Sequence, residues 1–237
     1  MANTDLPIPA LTKLADRWGL AAAKLHQLSR ILTALELDDL APTTVRDPSH
    51  AVDTHLADSL VALDVGPVRA ATTIADIGSG AGLPGLALAV ALTRCEVRLV
   101  ESRGRRCAFL EGMVAHAGVR NARVVCARAE EWEDGVSAND VVTARAVGSQ
   151  PVVLEYAAPL LRLGGTVVDW RGRRDAAEER GAERAAEELG LALVGIERVQ
   201  PFEAARDRHL HLYTKVRDTP ERFPRRAGMA RKRPLGG

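Results

Sequence analysis

Residues 76–85 read Asp76-Ile77-Gly78-Ser79-Gly80-Ala81-Gly82-Leu83-Pro84-Gly85. The run lies between a β-branched stretch at 72–77 and an apolar helical stretch at 83–92, the strand–turn–helix context that a ligand-binding glycine loop requires. Glycines there permit positive φ and let a ligand touch the backbone. The helix start beyond them offers unpaired N–H groups and a partial positive charge. In open α/β sheets the ligand crevice lies at the carboxyl ends of the strands. Glu101 closes the next predicted strand, 19 residues after Gly82. A carboxylate at that point can accept both hydroxyls of a ribose. Loop, helix start and acid together define a nucleoside site; a plain βα turn with no ligand is the alternative.

Two kinds of nucleoside fit the spacing. Gly80, Gly82 and Gly85 satisfy G-x-G-x-x-G literally, which admits a nicotinamide cofactor. Asp76 points the other way. It stands two residues before Gly78, and an acid in that place suits a cationic methionine moiety, directly or through water, better than a pyrophosphate. Tyr156 and Tyr213 are followed at four by Leu160 and Arg217, so the Y-x-x-x-K pair of short-chain dehydrogenases is missing. The reading favours S-adenosylmethionine.

Working outward, residues 8–63 carry helical periodicity, with Leu11, Leu14, Ala15 and Trp18, then Leu25, Leu28, Ile31, Leu32 and Leu35, on helix faces. A turn-rich polar segment covers 38–48, and a third helix is predicted over 48–63. Beyond Gly66 and Pro67 the pattern changes to strands at 72–77, 96–100, 123–126, 140–143 and 166–170. Helices at 83–92, 103–117, 130–133 and 151–161 separate them. Such alternation gives a mostly parallel sheet with right-handed crossovers. A charged helix at 175–189 precedes two closely spaced strands, 191–199 and 209–216, which can pair only antiparallel. The expected fold is therefore α/β, a Rossmann-like class I methyltransferase sheet with a closing antiparallel hairpin and a preceding helical segment. The expected divisions are 1–66 helical, 67–216 catalytic and 217–237 a basic tail.

Composition sets outer limits. With 237 residues, 46% hydrophobic and 27% charged, the chain is long enough for a sizeable core. Its most apolar uncharged stretch, 77–93, is too short and too broken by glycine and proline for a membrane helix, and nothing points to export. Cys95, Cys107 and Cys126 form no close pair in sequence, so they read as small buried hydrophobes of a cytoplasmic protein, with no metal site. The net charge of +1 hides an asymmetry: 217–237 holds seven basic groups against two acids, the remainder 25 against 29. A basic tail on an acidic body fits a polyanionic partner. Aromatics are only 3%, which argues against rows of base-stacking side chains.

The chain resembles the bacterial small-subunit rRNA guanine-N7 methyltransferase G family (glucose-inhibited division protein B). Four runs carry the resemblance. They are Thr44-Val45-Arg46-Asp47-Pro48 with His55-Leu56-Ala57-Asp58-Ser59-Leu60; the glycine loop with Glu101-Ser102; Arg128-Ala129-Glu130-Glu131 with Thr143-Ala144-Arg145-Ala146; and Thr219-Pro220-Glu221-Arg222-Phe223-Pro224-Arg225-Arg226 with Gly228, Lys232, Pro234 and Leu235. The resemblance implies S-adenosylmethionine contacts at Gly78, Leu83, Ala129, Glu130 and Arg145, to which the loop reading adds Gly80, Gly82 and Glu101. It implies 16S rRNA, in the small subunit, as partner of a monomeric enzyme. Arg171, Phe223 and Ala230 stand where it leads to lysine, tyrosine and proline.

Guanine N7 carries a free in-plane lone pair and needs no proton removed, so no general base is expected. Arg145, ending the fourth strand, is the expected catalytic residue, gripping a cofactor carboxylate or a target phosphate; a strand-end salt bridge is its alternative. His55 and Asp58, three apart on a helix, share a face and either cap the pocket or pair locally. The tail is expected to be an extended arm along RNA phosphates, with packing onto the body as the alternative.

Overall fold

The computed structural model describes residues 8–37 and 48–236. The turn-rich reading of 38–47, and with it Thr44 to Asp47 of the first motif, lies outside the described residues. Two helices open the fold, α1 (Ile8–Trp18) and α2 (Ala22–Leu37). On α2, Leu28, Ile31, Leu32 and Leu35 are buried at helical spacing. They join one apolar cluster with Leu86, Leu88, Leu99 and Leu110 of the sheet layer.

The predicted third helix is real but broken. It runs as α3 (Pro48–Ala51), a π-helical turn Val52–Ala57, α4 (Asp58–Leu60) and a 3₁₀ turn Val61–Asp64. Thr54 and Ser59 donate their hydroxyls back to the carbonyls of His50 and His55, and Trp170 Nε1 takes the Asp58 carbonyl at 2.8 Å. Back-bonding of this kind bends helices, and a π turn is a common mark of a site. A further short helix, α5 (Gly66–Ala70), starts on the Gly66-Pro67 pair that reads as a boundary in the sequence.

The alternating region is β1 (Thr73–Ile77), α6 (Gly85–Ala91), β2 (Glu96–Glu101), α7 (Gly104–Ala117), β3 (Ala122–Cys126), β4 (Asn139–Arg145), α8 (Gln150–Ala157), β5 (Leu161–Arg171), α9 (Ala176–Leu189), β6 (Leu191–Arg198) and β7 (His209–Lys215). The short helix expected at 130–133 forms as two 3₁₀ turns, Ala129–Glu131 and Glu133–Gly135. Helix ends follow local chemistry. Asp175 caps α9 by accepting from Ala177 N and Glu178 N at 2.8 and 3.1 Å, and Gly190 ends it in the left-handed region at φ 82°.

Seven strands form one sheet in the order β3-β2-β1-β4-β5-β7-β6. The first five pair in parallel. β7 runs antiparallel to β5 on one side and β6 on the other, the closing hairpin expected from the short spacing. β1, at the centre, is flanked by β2 and β4, so the connections reverse direction beside it, and its carboxyl end is the switch point where ligands bind in such sheets. Among the described residues no helix is long and apolar enough to cross a membrane.

Two readings of the sequence change here. Cys107 and Cys126 are joined as a disulfide, Sγ–Sγ 2.19 Å and Cα–Cα 5.6 Å. The parallel register sets Cys126 beside Glu101, six residues before Cys107, a proximity that sequence distance conceals. Cys126 is exposed, and only Cys95 remains a free buried thiol. The segment after Val216, read as an extended arm, is packed on the body instead. It buries Phe223 and Ala230, forms α10 (Met229–Lys232), and is pinned by a two-bond ion pair between Arg225 and Glu155.

Candidate functional site

The glycine loop leaves β1 at its carboxyl end. Gly78 N and Ser79 N donate to Val100 O at 2.8 and 3.1 Å, and Gly82 N to Ser79 O at 2.7 Å. Gly78, Gly80 and Gly82 all have positive φ, 65°, 53° and 88°, so this turn needs glycine at each. Their surroundings differ. A Cβ on Gly82 would meet Leu110 at 3.1 Å, and one on Gly78 would meet Val147 at 3.0 Å. A Cβ on Gly80 would meet only Gly78 O at 3.6 Å and otherwise open space. Gly82 and the buried Leu83 thus build the loop from below, while Gly80 presents it outward.

Asp76 is enclosed under that loop at 1% exposure. Its carboxylate accepts from Thr143 Oγ1 at 2.8 Å and Gly85 N at 3.2 Å. Burial pushes it up to about 6, against these hydrogen bonds and the charge of Arg145. A direct contact between Asp76 and a ligand does not fit this placement; the acid acts through the loop and the start of α6.

Glu101, 4% exposed, receives Gly80 N on Oε2 at 3.1 Å and Arg103 N on Oε1 at 2.9 Å, with Arg106 3.6 Å away. Ser102 Oγ also donates to Oε1, at 3.5 Å. With two acceptor sites on each carboxylate oxygen, Oε2 keeps one open site and Oε1 one that a diol hydroxyl would take from this long serine contact. Gly78, Ala129 and Glu130 line a small cavity with Ile77, Val100, Ser102, Ala127, Arg128, Val147, Tyr156 and Arg231. Of the predicted site residues, Gly78, Ala129 and Glu130 line this cavity; Gly80 and Glu101 meet through their hydrogen bond at the carboxyl ends of β1 and β2, and Gly82 and Leu83 lie under the loop. The structure sets Arg145 to one side. Arg145 Nη1 bonds Asp58 Oδ2 at 2.9 Å and Ser59 Oγ at 3.4 Å. Arg208 Nε stands 3.3 Å from the other Asp58 oxygen. The H-x-x-D-S-L run is thus tied to the end of β4 by Asp58.

Sequence reasoning missed several neighbours. Val147, Tyr156 and Arg231 carry no motif, and only the fold brings them to the cavity. Ala146, at φ 58°, turns the chain after Arg145 so that Val147 meets Gly78; a non-glycine residue pays strain there. Beside the site, Arg171 Nε bonds Asp169 at 2.6 Å and its Nη1 bonds Glu178 at 3.2 Å. Glu178 in turn accepts Gln150 N at 2.8 Å, and Gln150 Nε2 meets His211 Nδ1 at 2.6 Å. Burial pushes Asp169 up to about 7 and His211 down to about 4. Among the described residues, no three histidine, cysteine or acidic side chains come together as a metal site.

The donor set fits a methionine nucleoside: an outward glycine turn, a buried acid oriented by two backbone amides and a small cavity beside it. With a parallel sheet closed by an antiparallel β7 between β5 and β6, this defines a Rossmann-like S-adenosylmethionine-dependent methyltransferase. Solved structures with the same fold include Aeropyrum pernix fibrillarin in complex with S-adenosyl-L-methionine, at TM-score 0.51 and 20% identity over 67% of this chain and 73% of that one. A SAM-dependent methyltransferase from Aquifex aeolicus gives TM-score 0.56 and 15% identity over 72% and 94%.

Sequence relatives narrow the class. Residues 23–210 match the family described as GidB, rRNA small subunit methyltransferase G. Proteins named ribosomal RNA small subunit methyltransferase G are 36% identical, from Rubrobacter xylanophilus over 96% of this chain and 91% of theirs, and from Chloroflexus aggregans over 95% and 97%. The chain belongs to the rRNA small subunit methyltransferase G family.

Replacing Glu101 by alanine is expected to weaken S-adenosylmethionine binding. Hydrogen bonds to a charged group are worth about 1.5–3 kcal/mol, so calorimetry should read a loss of roughly tenfold to a hundredfold. An unchanged dissociation constant removes the ribose role.

Proposed function

We propose that the protein methylates N7 of a guanine in 16S rRNA of the small ribosomal subunit, using S-adenosylmethionine bound at Gly78, Gly80, Glu101, Ala129 and Glu130, with Gly82 and Leu83 shaping the loop beneath it. The observation that carries the cofactor reading is Glu101, buried at the end of β2 and already oriented by Gly80 N and Arg103 N. Family membership carries the substrate.

S-adenosylmethionine supplies a methyl group on a sulfonium. The chain supplies position. Glu101 accepts the ribose hydroxyls, one on the open site of Oε2 and one in place of the long Ser102 contact on Oε1. Ala129 and Glu130, following β3, receive the adenine end through backbone amides and a carboxylate. Asp58 and Ser59 occupy Nη1 of Arg145, leaving Nε and Nη2 to grip the cofactor carboxylate or a target phosphate. No side chain need take a proton, because the attacking N7 lone pair is free. Catalysis then rests on in-line alignment and exclusion of water.

The test is incubation with methyl-labelled S-adenosylmethionine and either small subunits or protein-free rRNA, followed by mapping of the methylated base. Label on an RNA base other than guanine, or none on either substrate, overturns the reading. A pH–rate profile under saturating substrates is expected to show no rising limb near pH 6–7 that His55→Ala removes. If that substitution removes such a limb together with most of the turnover, the reaction has a proton acceptor.

A further inference from the structure

The C-terminal segment contributes more to the cofactor crevice than to a free arm. Six anchors hold it. Phe223 is buried at 7% and Ala230 at 2%, in the cluster that includes Ala129, Val147 and Tyr156. Arg225 is bound to Glu155. Gly228 N donates to Glu130 Oε1 at 3.0 Å. Arg231 Nη2 donates to Val147 O at 2.7 Å. Arg184 Nε donates to Gly236 O at 3.0 Å. Two of these anchors, Gly228 and Arg231, fasten directly onto residues that line the cavity, Glu130 and Val147. Among the described residues no hydrogen bond or ion pair holds the side chains of Arg226, Lys232 and Arg233.

We propose that residues 219–236 form a wall of the cofactor pocket and that the side chain of Arg231, at its mouth, closes over the nucleoside. This rests on the assignment of Gly78, Ala129 and Glu130 to the cofactor. Arg231 lines the same small cavity as Ser102 and Ala127 to Glu130. Those residues are assigned to the base, which carries no anionic group. A guanidinium there acts as a flat donor that stacks on an aromatic face. The arrangement leaves only about 80 Å³ between the lining residues, below the roughly 300–1,000 Å³ of ordinary ligand pockets. The exposed Arg231 side chain therefore swings aside to admit the nucleoside and folds back over it, while its segment stays anchored. Glu130 ties that segment to the cofactor, since the carboxylate that reads the base also holds Gly228.

The test is calorimetry of the full-length chain with S-adenosylmethionine and S-adenosylhomocysteine, for the unaltered protein and for Arg231→Gln, Lys232→Gln and Glu101→Ala. Arg231→Gln is expected to weaken both ligands about tenfold, and Lys232→Gln, equal in charge loss but outside the cavity lining, to leave them unchanged. Limited trypsin digestion supplies a second readout: saturating S-adenosylhomocysteine is expected to slow cleavage after Arg226, Arg231 and Lys232 several-fold. If Arg231→Gln binds normally and cleavage is unprotected while Glu101→Ala loses affinity, the pocket stands and the wall does not. If Glu101→Ala also binds normally, the pocket assignment itself has failed. Loss of subunit methylation with intact cofactor affinity in Arg231→Gln assigns the residue to RNA and overturns the proposal.

Discussion

Replacing Arg225 by alanine is expected to lower the melting temperature by roughly 6–20 °C, from a loss of about 3–5 kcal/mol at about 2–4 °C per kcal/mol. The reason is Glu155, whose side chain is 1% exposed on α8. Its Oε1 accepts Arg225 Nε at 2.8 Å and its Oε2 accepts Nη2 at 2.5 Å. Truncating the arginine strands a buried carboxylate, and most of the cost is that stranded charge. The double variant Glu155→Leu with Arg225→Met tests the cause. It removes both charges and is expected to recover most of the lost stability. Circular dichroism melts read both. A single variant that melts within about 2 °C of the parent shows that the pair does not anchor the segment.

The two ends of the glycine loop are expected to respond in opposite ways to added bulk. A Cβ on Gly85 would lie 2.5 Å from Leu99 Cδ2, 2.7 Å from Asp76 Cβ and 2.8 Å from Asp76 Oδ2. Neither neighbour can yield easily, since Asp76 is held by Thr143 and Gly85 N. Gly85→Ala is expected to cost about 3 kcal/mol as overpacking and to lower the melting temperature by about 6–12 °C. Gly80→Val meets no such wall. Its φ of 53° costs about 1–2 kcal/mol in a residue with a Cβ, and the sheet stays folded. Its side chain fills the open space above the turn, so calorimetry is expected to show no S-adenosylmethionine binding. Tight binding of NADH by the unaltered protein, with none of S-adenosylmethionine, sinks the cofactor assignment.

Element type and the direction of strand pairing were legible because period and punctuation agree in this chain. β-branched runs such as 96–100 alternate with helical stretches such as 103–117, and only a hairpin fits between 199 and 209. The loop residues were legible for the same reason, since positive φ at Gly78, Gly80 and Gly82 leaves a direct mark in composition. What escaped depends on contacts between distant segments. Val147 and Tyr156 look like ordinary core residues until β4 and α8 are placed beside β1. Arg231 looks like one more solvated cation, because the buried acid that draws its segment inward, Glu155, lies 70 residues before Arg225. The pairing of Cys107 with Cys126 follows from the β2–β3 register, and residue spacing alone does not report register. The break in the helix at 48–63 frees the Asp58 carbonyl for Trp170, 112 residues away, a contact that local sequence does not report.

The strand order also dictates how the molecule can be made. Chains emerge amino-terminus first, so β6 is synthesised before β7. Yet β7 occupies the place beside β5, and β6 pairs only with β7. While the nascent chain lacks residues 209–215, β5 ends the sheet with a row of unpaired amides and carbonyls, and β6 has no slot to enter. An open edge of that kind invites pairing with the wrong chain. The outer third of the sheet can therefore be laid down only after nearly all of the polypeptide has been released, and the interval before then is when the protein is most exposed to misassembly.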